Sequence, residues 1–130
     1  KSLDTGSPVY CMELLQNGGL LIIGQFEGYV NILDIDNYKS VYQTRVPSER
    51  CVRQISKTLG GLSEFCFATD CGLFFGKLER DPMRFKFDKT VKYLQGKLIN
   101  KFYEYRENWF MVFEQTQIFN KFYILSRVQK

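Results

Sequence analysis

The chain has no histidine, one tryptophan, three prolines and four cysteines in 130 residues. Without histidine the usual general base and the imidazole of a catalytic triad are both missing, so no catalysis is expected. Cys11, Cys51, Cys66 and Cys71 do not have the spacing of a zinc site. Only Cys66 and Cys71 lie close in sequence, with neither a second pair nor a histidine to complete a tetrahedron. They are expected to be reduced thiols in or near the core, with no metal and no cofactor. Long hydrophobic runs are also lacking. The stretch Gly18 to Gly24 falls far short of the roughly 20 apolar residues that cross a bilayer, and no membrane insertion is expected. No Asn-x-Ser/Thr acceptor occurs. With the thiols, this points to an intracellular, cytoplasmic protein, the nucleus left open. A net charge of +4 is only mildly basic and does not by itself announce a nucleic-acid binder.

Aromatic side chains are plentiful, with 12 Phe and 8 Tyr. Alongside Ile and Val they suit pleated, half-buried strands better than helices, so the composition leans all-β. The stretch Leu21 to Asp34, LIIGQFEGYVNILD, runs apolar, turns through Gln25–Phe26–Glu27–Gly28 and leaves apolar again. That is a hairpin pattern, with Gly28 where positive φ is needed. A second copy, FCFATDCGLFFGKL, spans Phe65 to Leu78, and its Gly72 lies 44 residues after Gly28. A third copy, WFMVFEQTQIFNKF, begins at Trp109 and carries Thr116 another 44 residues on. A period of 40–45 residues with four strands per unit is the pattern of propeller blades.

The remaining strands fit that period. In the first unit they are expected at 9–15, 20–26, 28–34 and 40–46, with Asn17–Gly18–Gly19 turning between the first two. In the second they fall at 51–58, 64–69, 72–78 and 83–87, with Gly60–Gly61 and Asp81–Pro82 in turns. In the third they fall at 98–105, 109–114, 117–122 and 123–129, with a tight turn at Glu107–Asn108. The expected architecture is all-β: antiparallel four-stranded blades forming a partial β-propeller of about three blades, in units 5–46, 50–90 and 97–130. Because closed propellers take about four to eight blades, and the first residue is Lys rather than Met, the chain is expected to be a fragment or part of a larger propeller. The other blades would come from the same parent chain or another subunit.

The first unit resembles a WD repeat. Thr5–Gly6–Ser7–Pro8–Val9 stands in the lead-in, and Gly24–Gln25–Phe26–Glu27–Gly28–Tyr29–Val30–Asn31–Ile32–Leu33–Asp34 in the core motif. Glu27 replaces the usual turn Asp and Leu33 the usual Trp. The likeness is good over residues 5–46, moderate in the second unit and poor in the third. The family's His–Asp network cannot form here, and Trp109 stands on the wrong strand to contribute. Cohesion is therefore expected from Phe, Tyr and Ile packing between sheets.

The resemblance implies a non-catalytic scaffold that binds protein or peptide partners through the turns between second and third strands and the loops leading into each innermost strand. In this chain those are Gln25, Phe26, Glu27, Thr69, Asp70, Cys71, Pro8 and Pro47 to Arg50. Asp34, Asp36, Asp70, Asp81 and Asp88 are expected in strand ends and turns rather than as catalytic acids. The alternative is RNA or single-stranded nucleic acid held by the basic segment 77–101. Eight basic residues there, including Arg84, Lys86, Lys89 and Lys92, face three acidic ones, with Phe85, Phe87 and Tyr93 between them. The plainer reading of that segment is an outer strand with Arg84 and Lys86 pointing out and the aromatics in.

Overall fold

A computed structural model describes residues 2–15, 18–60, 63–89 and 93–127. Eleven strands fall into three antiparallel sheets among these residues. The first sheet holds β1 (Val9–Leu14), β2 (Leu20–Gln25), β3 (Tyr29–Asp34) and β4 (Lys39–Arg45) in sequence order. The second holds β5 (Val52–Lys57), β6 (Glu64–Thr69), β7 (Gly72–Arg80) and β8 (Met83–Phe87). The third holds β9 (Ile99–Arg106), β10 (Trp109–Gln115) and β11 (Asn120–Ser126). Each sheet is a meander, so every connection inside it joins neighbouring antiparallel strands.

The sheets stack face to face through two apolar cores. Ile22, Val30 and Ile32 of the first sheet, with Val46 just after β4, meet Val52, Ile55, Phe65, Phe67, Phe74 and Phe85 of the second. Cys66, Ala68, Leu73 and Phe75 on the other face of the second sheet meet Ile99, Phe102, Phe110 and Val112 of the third. Phe67 packs edge-on against Phe85 and Phe87, with ring centroids at 5.4 and 5.1 Å. Phe75 meets Phe110 in the same way at 5.4 Å. The Phe67 contacts lie within the second sheet, whereas Phe75–Phe110 crosses to the third, and the first sheet meets the phenylalanines of the second with aliphatic side chains; losing one such ring costs about 3–5 kcal/mol.

The innermost strands β1, β5 and β9 share a detail. Each carries an extra residue against its partner near its start, between Val9 and Cys11, between Val52 and Gln54, and between Ile99 and Lys101, and β9 carries a second between Glu104 and Arg106. Beyond the bulge near the start, Cys11 and Gln54 occupy equivalent places and both reach the next inner strand. The Cys11 thiol donates to the Val52 carbonyl at 3.5 Å. The Gln54 amide donates to the Phe102 carbonyl at 3.0 Å and accepts from its N–H at 2.9 Å. A side chain thus stands in for the missing strand-to-strand ladder.

The structure departs from the sequence reading in three places. Gly28 and Gly72 are 44 apart, but β3 starts after Gly28 and β7 starts on Gly72. The third strands are therefore related by 43 residues, because the first hairpin has one more residue in its turn. In the third unit the turn is longer: Thr116 to Phe119 form it, and the strand expected at 117–122 is β11 at Asn120–Ser126. Residues 123–126 belong to that strand and not to a fourth one, so the third sheet has three strands among the described residues. Residues 128–129 of the expected strand, and Asn17 and Gly61 of the expected turns, lie outside the described residues. No helix of the described residues is long and apolar enough to cross a membrane.

Candidate partner-binding face

One end of the blade stack gathers the turns at Phe26–Gly28 and Asp70–Cys71 with the segments that lead into β1, β5 and β9. Two glycines bring them together. Gly28 has φ +85°, and a Cβ there would lie 2.9 Å from the Arg50 N and O. Gly72 has φ +108°, and its Cβ would lie 3.0 Å from the Tyr93 carbonyl oxygen. In both blades the turn glycine lets the chain heading for the next blade pass directly over the hairpin. The Gly28 carbonyl accepts from the Val46 N–H at 2.9 Å, and the Gly72 N–H donates to the Lys97 carbonyl at 2.8 Å.

On this rim Phe26 is 46% exposed, its N–H donating to the Pro8 carbonyl at 3.2 Å. The ring stands in solvent while its backbone is fixed, which is the form of an anchor side chain. Glu27 has φ 60°, and its carbonyl accepts from Arg45 Nε at 2.8 Å. Arg45 also lies 3.7 Å from the Glu27 carboxylate, 3.4 Å from that of Glu49 and 4.8 Å over the Tyr29 ring. Such an exposed cluster orders the turn more than it stabilises the fold. The Arg50 side chain is exposed and its guanidinium makes no ion pair among the described residues. Asp70 is held by Arg53, whose guanidinium donates to its carboxylate; that hydrogen bond raises the Arg53 pKa above its ordinary value.

Two of the expected contact residues cannot meet a partner. Gln25 is fully buried. Its amide nitrogen donates to the Thr5 and Ser7 carbonyls, both at 3.1 Å, and to the Ser7 hydroxyl at 2.9 Å. Its oxygen accepts from Asn31, and Asn31 in turn accepts from the Ser40 hydroxyl at 3.2 Å. A polar chain thus runs from the lead-in segment across β2 and β3 to β4, alongside the apolar packing. Thr69, also fully buried, accepts from the Ser48 hydroxyl at 3.2 Å and the Cys71 N–H at 3.0 Å, and donates to the Gly72 carbonyl at 2.9 Å. Buried polar groups demand such partners, so both residues serve the blade.

Among the described residues of the basic segment, Arg84 and Lys86 are not flanked by exposed aromatic rings. Arg84 and Lys86 are exposed on β8, and Arg84 is paired with Glu79 at 2.5 Å. Phe85 is buried and Phe87 packs on Phe67, while Tyr93 lies edge-on to Phe75 at 5.5 Å. Phe85 and Phe87 therefore face inward, as outer-strand alternation requires. Lys89 lies beyond β8, and Lys92 lies outside the described residues.

The sequence reading missed the bulges, which set Tyr10, Arg53 and Asn100 at equivalent places on the inner strands; bulges commonly re-aim side chains where a site is built. Their only trace in the sequence is a slip in the apolar alternation, as at Tyr10–Cys11–Met12. It also missed a cleft of about 260 Å³ lined by Pro47, Ser48, Cys71, Phe74, Lys89, Tyr93 and Gln95, made by two connecting segments far apart in sequence.

The reactive groups are restrained. Burial pushes the Cys11 thiol up to about 12, and pushes the Cys66 thiol well above its ordinary value. Burial, followed by the nearby Asp70 carboxylate, also raises Cys51. Thiols held protonated in this way are poor nucleophiles. Asp34 accepts from the Asp36 and Asn37 N–H groups at 3.0 and 3.1 Å and from the Asn37 side chain at 2.7 Å. The Asn37 bonds lower its pKa and mark it as the former of the β3–β4 turn.

No family model and no curated protein matches the chain. Among solved structures it is similar to the beta-propeller domain of Myceliophteria thermophila Cps50 (Swd1), with a TM-score of 0.75 at 15% identity. The match covers 93% of this chain and 38% of that one. The computationally designed Ika4 protein aligns over 96% of both chains, but at 8% identity and a TM-score of 0.43 it carries no argument.

Proposed function

Taking the fold as about three blades of a WD-repeat-like β-propeller, we propose that the chain is a non-catalytic scaffold that holds a protein or peptide partner on the rim formed by Phe26, Glu27, Arg50 and Asp70. The observation that carries this reading is that a half-exposed aromatic, Phe26, and Arg50, which makes no ion pair among the described residues, stand on two loops in close contact at Gly28. Aromatic and arginine side chains dominate the energetics of protein contacts. The absence of histidine and the protonated thiols support a role without catalysis, and free thiols suit the cytoplasm.

The two ends of the blade stack bear on the partners as well. Met12 and Leu14 are exposed on the outward face of the first sheet, and Tyr103, Phe122 and Ile124 on that of the third. The opposite faces of those sheets are covered by the second sheet. We assign the remaining blades, from the same parent chain or another subunit, as the cover for the two outward ones. The test of the scaffold reading is partner recovery by Phe26→Ala and Arg50→Ala proteins that keep the parent melting temperature. Loss of the partner supports the reading, and unchanged recovery of every partner removes the rim from consideration. Nucleic-acid binding through 77–101 predicts an affinity that falls steeply with salt; no binding to a single-stranded oligonucleotide at low salt eliminates it.

A further inference from the structure

We propose that the cleft between the Pro47–Ser48 and Tyr93–Gln95 segments is a docking pocket for one apolar side chain of an acidic peptide. This rests on the scaffold reading and names the partner's chemistry at a second place on the same rim. The cleft exists because each connecting segment is tied over a hairpin. The Ser48 hydroxyl donates to Thr69, and Leu73 N–H donates to the Tyr93 carbonyl at 3.0 Å. Pro47, Phe74 and Tyr93 supply apolar walls, while Ser48, Gln95 and Lys89 supply polar groups.

Size argues for a single side chain. Sites for cofactors and drug-sized molecules run about 300–1,000 Å³, and this cleft holds about 260 Å³. Charge argues for an acidic partner. Lys89 is exposed, and among the described residues it has no ion pair and no acidic side chain lines the cleft. Asp88 precedes Lys89 but is not part of the lining, and its N–H donates to the Phe75 carbonyl at 2.9 Å. A leucine or phenylalanine flanked by carboxylates satisfies both demands, burying its side chain on Phe74 while a neighbouring carboxylate meets Lys89.

The experiment titrates the whole chain into a fluorescein-labelled acidic heptapeptide with one central leucine and follows fluorescence anisotropy at low salt. Two control peptides replace the leucine by alanine or the acids by lysine. Binding tighter than about 1 mM is expected, weakened about tenfold by the alanine peptide and abolished by the lysine peptide. Lys89→Glu is expected to weaken it about fivefold. Gln95→Trp, which fills the mouth from an exposed position, is expected to weaken it about tenfold. No binding by the leucine peptide overturns the proposal. So does binding indifferent to the alanine change and to Gln95→Trp, which is charge attraction without a pocket. A uridine oligonucleotide that binds better than the peptide and loses affinity in Lys89→Glu also overturns it, in favour of nucleic acid. If the peptide fails while partner recovery still depends on Phe26 and Arg50, the cleft falls and the scaffold reading stands.

Discussion

Arg127 grips both carboxylate oxygens of Glu64, Nη1 at 3.2 Å and Nη2 at 3.0 Å, with its guanidinium carbon 3.6 Å above the Phe75 ring. Arg127 follows β11 and Glu64 opens β6, so the pair bolts the third sheet to the second. The side chains are only 17% and 14% exposed, and removal of one partner leaves the other charge poorly hydrated. Arg127→Met is expected to lower stability by about 2–3 kcal/mol, seen as a drop in the urea midpoint. A loss below about 0.5 kcal/mol puts the pair among ordinary surface bridges.

The same pair predicts a pH dependence. Burial raises the Glu64 pKa, but Arg127, Thr58 and Lys77 outweigh it and hold the carboxyl below its ordinary 4.5. A depressed carboxylate contributes stability that is present in full above the unfolded pKa and is lost as pH falls through the folded one. Glu64→Gln should therefore destabilise near neutrality and narrow its gap from the parent as pH drops below about 4.5. Urea midpoints across pH 3 to 7, on the order of the carboxylate range, check the sign. A gap that widens toward acid contradicts the assignment.

Gly28 cannot be replaced without moving backbone. Its positive φ and the 2.9 Å approach of Arg50 act together, so Gly28→Ala is expected to cost about 2–3 kcal/mol. Gly18→Ala is the control. Gly18 also has positive φ, but its Cβ would meet nothing within 4 Å, and about 1 kcal/mol is expected there. Equal losses by thermal melting would show that conformation alone, and not the crossing of the next blade's lead-in, explains Gly28.

The buried chain from Gln25 through Asn31 to Ser40 makes a different prediction. Asn31→Leu leaves the Gln25 oxygen without its donor in a buried site, at a cost of about 1–3 kcal/mol. Gln25→Leu should show a coupling with it in a double-mutant cycle of at least about 0.5 kcal/mol. Additive losses would mean that the two amides act separately.

The sequence showed the hairpins plainly, because Leu20–Ile23 and Phe65–Ala68 are unbroken apolar runs ended by turn residues. Strands β6 and β8 fall on their expected bounds. Its weak point was the third unit, where glycine gives way to Thr116. Without a residue suited to positive φ the turn lengthens, its Thr116 hydroxyl bonded to Phe119, and no local signal reveals where the strand resumes. Gln25 and Thr69 were legible as turn neighbours but not as buried. Their partners Thr5, Ser7 and Ser48 come from other segments, and hydrophilic character alone suggests the surface. The cleft and the Arg127–Glu64 bolt were beyond sequence reasoning for the same reason: both depend on how sheets stack.

The most direct test of the scaffold reading is site-specific photocrosslinking in cell extract, with a photoreactive phenylalanine at position 26 on the rim or at position 59 on the opposite end. Leu59 is 64% exposed against 46% for Phe26, so accessibility favours the control position. The account predicts a discrete crosslinked partner from position 26 and none from position 59. Crosslinking from position 59 alone, or equal yields of the same product from both, would contradict it.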